Sequence, residues 1–392
     1  MTGVFEELTI GPMRLPNRII RSATHEGFTD SENNPNNDML ALYEKLSSGG
    51  AGAIITGYAG VRRDGMAPTP NMLMFDDDGR IEAFKKITEG IDQTKTPLIL
   101  QLAHCGRQTR RAITGYQPIA PSARKDGLYN EEKPLELTEP EIMGVIQSFA
   151  DAAERAKKAG FSGVEIHAAH GYLLSSFLSP HMNRRTDNWG GSTAKRFRIV
   201  GEIAKEIRTR IGDFPMLIKI NGFEKSRNGI KIDEAVRIAK LCESAGFDAI
   251  EVSCGIMEEG MVMCRGDIPM DTMMKTTFRF KDMSPIVKAF AKPYVKIKMG
   301  SPKPLSLYNL TAATEIRRNV SIPVIVVGGI RELSDIEKIV SKNMCDAVSM
   351  SRPFVAEPDI VNKLRNGGSS QCTNCNKCLI RAEGHTLRCY RA

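Results

Sequence analysis

Four of the six histidines, His25, His104, His167 and His170, stand at or just past the ends of short apolar runs. An imidazole can donate a hydrogen bond, take a proton or bind a metal near neutral pH. The pair His167-x-x-His170 has half-site spacing for a metal, yet no acidic third ligand follows at a familiar distance. Lys219 alternates with Leu217 and Asn221 in LIKIN, so the three share one face of an extended segment. Gln101, in ILQLA, and Glu165 with His167, in VEIHA, are placed in the same way. An ammonium on an inward face needs a counter-charge. That is either an acid such as Glu165 or Glu251, or an anionic ligand. Further on, VIVVGGI and VSMSRPF bring Gly328, Gly329, Ser351 and Arg352 to the ends of two neighbouring runs. Glycines let backbone N–H groups approach an anion and arginine adds a fixed cation, so this pair of segments suits a phosphate.

A last group lies in the tail. Of nine cysteines, Cys372, Cys375, Cys378 and Cys389 crowd together as C-x2-C-x2-C-x10-C. Four thiolates suit an iron–sulfur cluster or zinc, and free or merely structural thiols are the alternative. An odd cysteine count without a secretory leader argues for reduced thiols over a disulfide framework.

The elements that must position these groups recur in a regular order. Eight β-rich runs are expected at 19–23, 53–57, 98–102, 163–167, 216–220, 249–253, 324–327 and 347–350. Helical patterns follow them at 39–48, 80–93, 138–159, 193–211, 232–245, 309–319, 334–342 and 357–365. Thr138 with Glu141, and Ser334 with Glu337, have capping-box spacing. Gly49, Gly160 and Gly246 mark helix ends. Strand and helix alternating eight times predicts an α/β fold, a (β/α)8 TIM barrel. An N-terminal hairpin within 4–16 precedes it. The barrel is expected over 1–365 and a short Cys-rich C-terminal tail over 366–392. A doubly wound sheet would want GxGxxG after its first strand, and none is present. Two long stretches, 106–134 and 255–304, follow the third and sixth strands, where a barrel enzyme places its substrate-facing loops.

Composition sets the limits. With 41% hydrophobic and 26% charged residues the 392-residue chain reads as an ordinary globular enzyme, not a disordered one. No apolar run of about 18 residues occurs, and the acids in MTGVFEELTI do not suit a signal peptide. A cytoplasmic location with no membrane partner is expected. The net charge of +8 is spread among 46 acids, so no nucleic-acid partner is expected.

The segments NRIIRSATHEG, LQLAHCGRQ, GVEIHAAHGYLLSSFLSPHMNRRTDNWGGS, IVVGGI and SMSRPF, in this order, resemble the old yellow enzyme family of flavin-dependent ene-reductases. The resemblance spans most of the chain, and the long fourth-strand segment is its most specific part. It implies FMN held noncovalently in a (β/α)8 barrel, with NADH or NADPH as reductant. It implies that Ser22, Ala23 and Thr24 pack along the flavin and that Tyr58 lines it. Gln101 would bond the pyrimidine edge, and Lys219 would sit where the reduced cofactor carries negative charge. Gly328, Gly329, Ser351 and Arg352 would hold the phosphate. Ser351 takes a place often occupied by glycine. His167 and His170 would donate to a carbonyl or nitro oxygen of an activated alkene, and Tyr172 would supply a proton after hydride transfer from the flavin. Without the resemblance, Tyr172 reads equally well as a wall residue.

Two alternatives stay open. One is a flavin-barrel dehydrogenase or dienoyl reductase that uses a tail iron–sulfur cluster. Larger relatives carry such a cluster with three residues between the second and third cysteines, where this chain has two. They also continue into further domains not expected here. The other is a tRNA uridine reductase, motivated by the basic charge and by Cys105. Such enzymes add a C-terminal helical domain, for which no room is expected after Arg365. Small relatives of the family form dimers or tetramers, so a homo-oligomer is admitted.

Overall fold

A computed structural model describes residues 3–92, 96–126, 132–277, 279–300, 302–382 and 384–391. Its centre is a closed barrel of eight parallel strands: Ile19–Arg21, Ala53–Ile55, Leu98–Ala103, Gly163–Ala168, Met216–Asn221, Ala249–Ser253, Val324–Val327 and Ala347–Met350. Each pairs with its neighbours in sequence, and the eighth returns to the first through Val348 opposite Ile19. The strands are buried on both faces. Helices cover the outside and other side chains fill the inside, which is why the strand sequences are almost continuously apolar.

The barrel interior is divided along its axis. Its lower half is apolar: Ile20, Ile55, Ile99, Leu217 and Ile325 form one cluster with Leu8, Ile10, Met13 and Leu15. Those last four belong to the hairpin Leu8–Ile10 and Met13–Leu15, which therefore plugs the barrel's N-terminal end. The upper half is polar and opens at the C-terminal ends of the strands, where Gln101, Glu165, Lys219, Glu251 and Ser349 are all nearly fully buried.

The helices that follow the strands are Asn37–Ser48, Ile81–Asp92, Glu139–Lys158, Thr193–Ile211, Ile232–Ser244, Leu310–Arg317, Leu333–Ser341 and Ile360–Arg365. The second was expected to run to Gln93, which lies outside the described residues. Thr138 forms the expected capping box with Glu141. Ser334 does not form the other. That helix begins at Leu333 after an extended Glu332, so Ser334 already lies inside the first turn and cannot cap it. Gly160 and Gly246 take left-handed conformations after their helices, as helix-ending glycines do. At the end of the first helix Gly50, not Gly49, does so.

Both long loops carry structure. The first holds the short strand Ile119–Ala120, which pairs in parallel with Leu135–Glu136 just past its end. The second holds the helices Met270–Thr276 and Pro285–Lys298. The tail runs back over the barrel mouth: Leu387 N donates to Glu26 O at 2.7 Å, and the short helix Lys377–Arg381 packs on Met270–Thr276. Among the described residues no helix is long and apolar enough to cross a membrane.

Candidate active site

The floor of the mouth is a buried charge cluster. Register places Lys219 between His167 on the fourth strand and Glu251 on the sixth. Lys219 Nζ lies 2.6 Å from Glu251 Oε2 and 3.9 Å from Glu165 Oε2, and it donates to Ser22 Oγ at 3.2 Å. Ser22 Oγ donates to Glu251 Oε1 at 2.8 Å, as does Ser349 Oγ at 2.5 Å. Gln101 Nε2 donates to Glu165 Oε2 at 3.1 Å. Both acids named as partners for Lys219 are therefore engaged. Burial, then the Glu251 charge, pushes the Glu165 carboxyl well above the usual range. Burial also opposes ionisation of Glu251, but Lys219 and the Ser349 hydroxyl overcome it and hold its pKa down. Burial opposes the Lys219 charge, and Glu251 and Glu165 restore it and raise its pKa. The cluster thus pairs the Lys219 ammonium with the Glu251 carboxylate, and the Glu165 carboxyl holds its proton more tightly than an ordinary one.

Above this floor one rim is aromatic. His167 ends the fourth strand, and the chain turns through His170 (φ +64°) and Gly171 (φ +82°) into the helix Leu173–Leu178. That turn brings the His167 and His170 rings to 5.1 Å and the His167 and Tyr172 rings to 4.8 Å. Tyr58 packs edge-on to Tyr172 at 5.6 Å and stacks on His25 at 5.5 Å. The Tyr58 hydroxyl is hydrogen-bonded to Tyr172, and burial raises its pKa. His167 Nδ1 accepts from the Ala169 N–H at 3.2 Å, so its remaining proton sits on Nε2. His170 is held by Ser253 Oγ at 2.7 Å and, through its backbone N–H, by Asn221 Oδ1 at 3.2 Å. Burial, then the neighbouring His170 ring and the Lys219 ammonium, drives the His167 pKa well below the usual value; burial and Lys219 take His170 down to about 3. Both rings are neutral hydrogen-bonding groups at physiological pH. His104 stands apart. Its Nε2 pairs with Asp64 at 3.2 Å and its Nδ1 accepts from Gly106 N, so it braces the loop after the third strand.

The opposite end of the mouth is the phosphate-like corner. Gly328 (φ +128°) and Gly329 (φ +73°) turn the chain after the seventh strand. A Cβ on Gly329 would stand 2.4 Å from Leu305 O, and one on Gly328 2.6 Å from the Tyr308 ring, so both positions demand glycine. Together with Ser351 and Arg352 they line a small cavity. Thr24 Oγ1 donates to Ser351 Oγ at 2.8 Å and ties the first strand to this corner, while Ala23 beside it is half-buried. Arg352 Nη1 donates to Arg265 O at 2.9 Å and to Asn376 Oδ1 at 2.6 Å. Asn376 in turn donates to Cys264 O and Asp267 O, each at 2.9 Å. Arg265, Asn374 and Asn376 were not anticipated. The readable signal was two asparagines in CTNCN, because Asn tolerates left-handed backbone and both adopt it, at φ +58° and +56°.

The tail cysteines Cys372, Cys375, Cys378 and Cys389 line one small cavity against Arg352 and Asn376. Burial pushes the Cys378 thiol up to about 12. Among the described residues no three His, Cys, Asp or Glu side chains converge closely enough to hold a metal ion.

Known proteins share this fold. The profile of the NADH:flavin oxidoreductase / NADH oxidase family matches residues 3–253 and 262–371. An NADH oxidase of Thermoanaerobacter brockii is 32% identical over 383 residues, covering 97% of this chain and 53% of the relative. A metal reductase of Desulforamulus reducens is 32% identical over 99% of this chain and 52% of its own length. The chain thus spans about half the length of these two. A 4,4'-dithiodibutanoate disulfide reductase of Rhodococcus erythropolis is 28% identical, over 96% of this chain and 92% of its own. Among solved structures, a 2-naphthoyl-CoA reductase superimposes with a TM-score of 0.79 at 24% identity, covering 96% of this chain and 54% of that one. Morphinone reductase does so with a TM-score of 0.73 at 23% identity, over 95% and 92%. These likenesses support the fold, and the profile and the identity to the NADH oxidase decide the ancestry: the chain belongs to the NADH:flavin oxidoreductase / NADH oxidase family, the old yellow enzymes.

Proposed function

We propose that this chain is an FMN-dependent NAD(P)H oxidoreductase that reduces the C=C bond of activated alkenes, namely enones, enoates and nitroalkenes. The observation that carries the reading is the rim itself. Two neutral imidazoles and a tyrosine ring crowd together, and His167 stands in register with the buried ammonium of Lys219.

The residues fit FMN on their own chemistry. At one corner two left-handed glycines and Arg352 share a cavity, and the guanidinium N–H groups other than Nη1 make no hydrogen bond to described residues, which suits a phosphate. At the other, Gln101 and Lys219 offer a donor and a cation to a heteroaromatic edge. His25 Nε2, buried in the mouth, finds no partner among the described residues. When bound, FMN supplies the hydride acceptor for NAD(P)H and the hydride donor for the alkene.

The chain does the rest. His167 Nε2–H donates to the carbonyl or nitro oxygen, and His170 donates beside it. A neutral imidazole donates without first losing a proton, so the clamp holds as negative charge grows on that oxygen. The Tyr172 hydroxyl gives its proton to the α-carbon while the β-carbon receives the hydride. The Tyr58 hydroxyl, bonded to Tyr172, holds that group in place. Overall, alkene, NAD(P)H and one proton become alkane and NAD(P)+.

The test is a double variant, His167→Ala with His170→Ala. It should retain bound flavin and its reduction by NADH or NADPH while alkene turnover falls by about 10²–10³-fold, the loss typical of oxyanion donors. Unchanged turnover of cyclohexenone would refute the oxygen clamp.

A further inference from the structure

The loop after the sixth strand encloses a second chamber that the chemistry above does not use. It holds about 340 Å³ beneath the helix Pro285–Lys298, within the size range of small-molecule sites. Six methionines line it: Met257, Met261, Met263, Met273, Met283 and Met299. Arg279 is its one charged wall residue among the described residues. Two observations locate it relative to the reacting end. Met257 N donates to His170 O at 3.3 Å, and the preceding Ile256 forms a β-bridge with His170. Met263 and Cys264 also line the phosphate-like corner. The chamber therefore adjoins both ends of the mouth.

From this placement we infer that the chamber receives the apolar substituent of the substrate, an extended alkyl or aryl group, while the activating oxygen rests on His167 and His170. The inference rests on the alkene reading and deepens it. Methionine is unbranched and polarizable and packs against many shapes. A wall of six selects for apolar length and bulk but not for one outline. The enzyme is then a reductase of long-tailed alkenes with loose preference for the shape of the tail.

Binding and turnover test it separately. Calorimetric titration of the holoenzyme with undecyl methyl ketone, which has no C=C bond to reduce, should show micromolar binding, and butanone should show none. Ala291→Phe, which fills the chamber, should weaken that binding at least tenfold. Met283→Glu, at the rim and needing no repacking, should do the same. In turnover, kcat/KM should rise by about two- to fourfold per methylene from methyl vinyl ketone through its pentyl and nonyl homologues. Both variants should flatten that rise and leave cyclohexenone turnover unchanged. No binding of the saturated ketone overturns the chamber's assignment. Binding without a chain-length effect overturns its role as a substrate site. If cyclohexenone is turned over while the rise is absent, the alkene reading stands and this inference falls. If no alkene is turned over, both fall.

Discussion

The aromatic rim and the phosphate-like corner face each other across one barrel mouth but are assembled in different ways. His167, His170 and Tyr172 come from a single strand end, and one tight turn sets their spacing. The corner is assembled from afar. Arg352 is braced by Arg265, 87 residues earlier, and by Asn376, 24 residues later. A site built from one turn can be read from a short stretch of chain. A site built from a loop, a strand end and a tail exists only when all three have folded onto one another. The rim should therefore survive damage to the tail, and the corner should not.

The largest effect is expected in the floor that both ends share. Lys219→Met would leave the Glu251 carboxylate buried beside the Glu165 carboxyl with no cation. Breaking such a pair costs about 3–5 kcal/mol, and urea unfolding should show it as a lowered midpoint. Adding Glu251→Gln removes the stranded charge and should recover most of that loss. If the double variant is no more stable than Lys219→Met, the ammonium does not act through Glu251.

A smaller change separates the two ends. Asn376→Ala removes a partner from Arg352 and donors from Cys264 O and Asp267 O. Buried groups left unpaired cost about 1–3 kcal/mol. Flavin affinity should fall roughly tenfold in a fluorescence titration, while turnover at saturating flavin stays unchanged. A loss of turnover at saturation would mean that the tail supports the rim as well.

The same contrast explains what the sequence disclosed. All eight strands lie on the apolar runs expected for them, because a parallel strand buried on both faces leaves a continuous apolar trace. The convergence of Gln101, His167 and Lys219 at the mouth followed from two-residue alternation. Neither pattern reports contacts between segments distant in the chain. Nothing local marks Arg21 and Glu26 as a buried ion pair at 2.7 Å, with Tyr43 OH donating to Glu26 at 2.9 Å. The bracing of Arg352 by Asn376 was equally hidden, since it depends on how the second long loop folds. Ser334 shows the opposite failure. Its spacing to Glu337 fits a capping box, but the N-cap falls at Glu332, two residues earlier, and leaves Ser334 inside the first turn.

The finest test uses pH, because it acts on one end only. His167 and His170 are held neutral in the folded chain, with pKa values below the ordinary 6.5, and His170 at about 3. Unfolded, both would bind a proton near 6.5. Between that value and their folded pKa values the unfolded chain binds more protons, so stability rises with pH. Above 6.5 the two histidines add no pH dependence. Below it they should withdraw about 1.4 kcal/mol per pH unit each, continuing for His170 down to about 3. Urea midpoints measured from pH 7.5 to 5.5 should therefore fall less steeply in His170→Phe than in the wild type. Equal slopes in variant and wild type would mean that His170 titrates in the fold as it does in the unfolded chain, and the burial argued for it would then not hold its ring neutral.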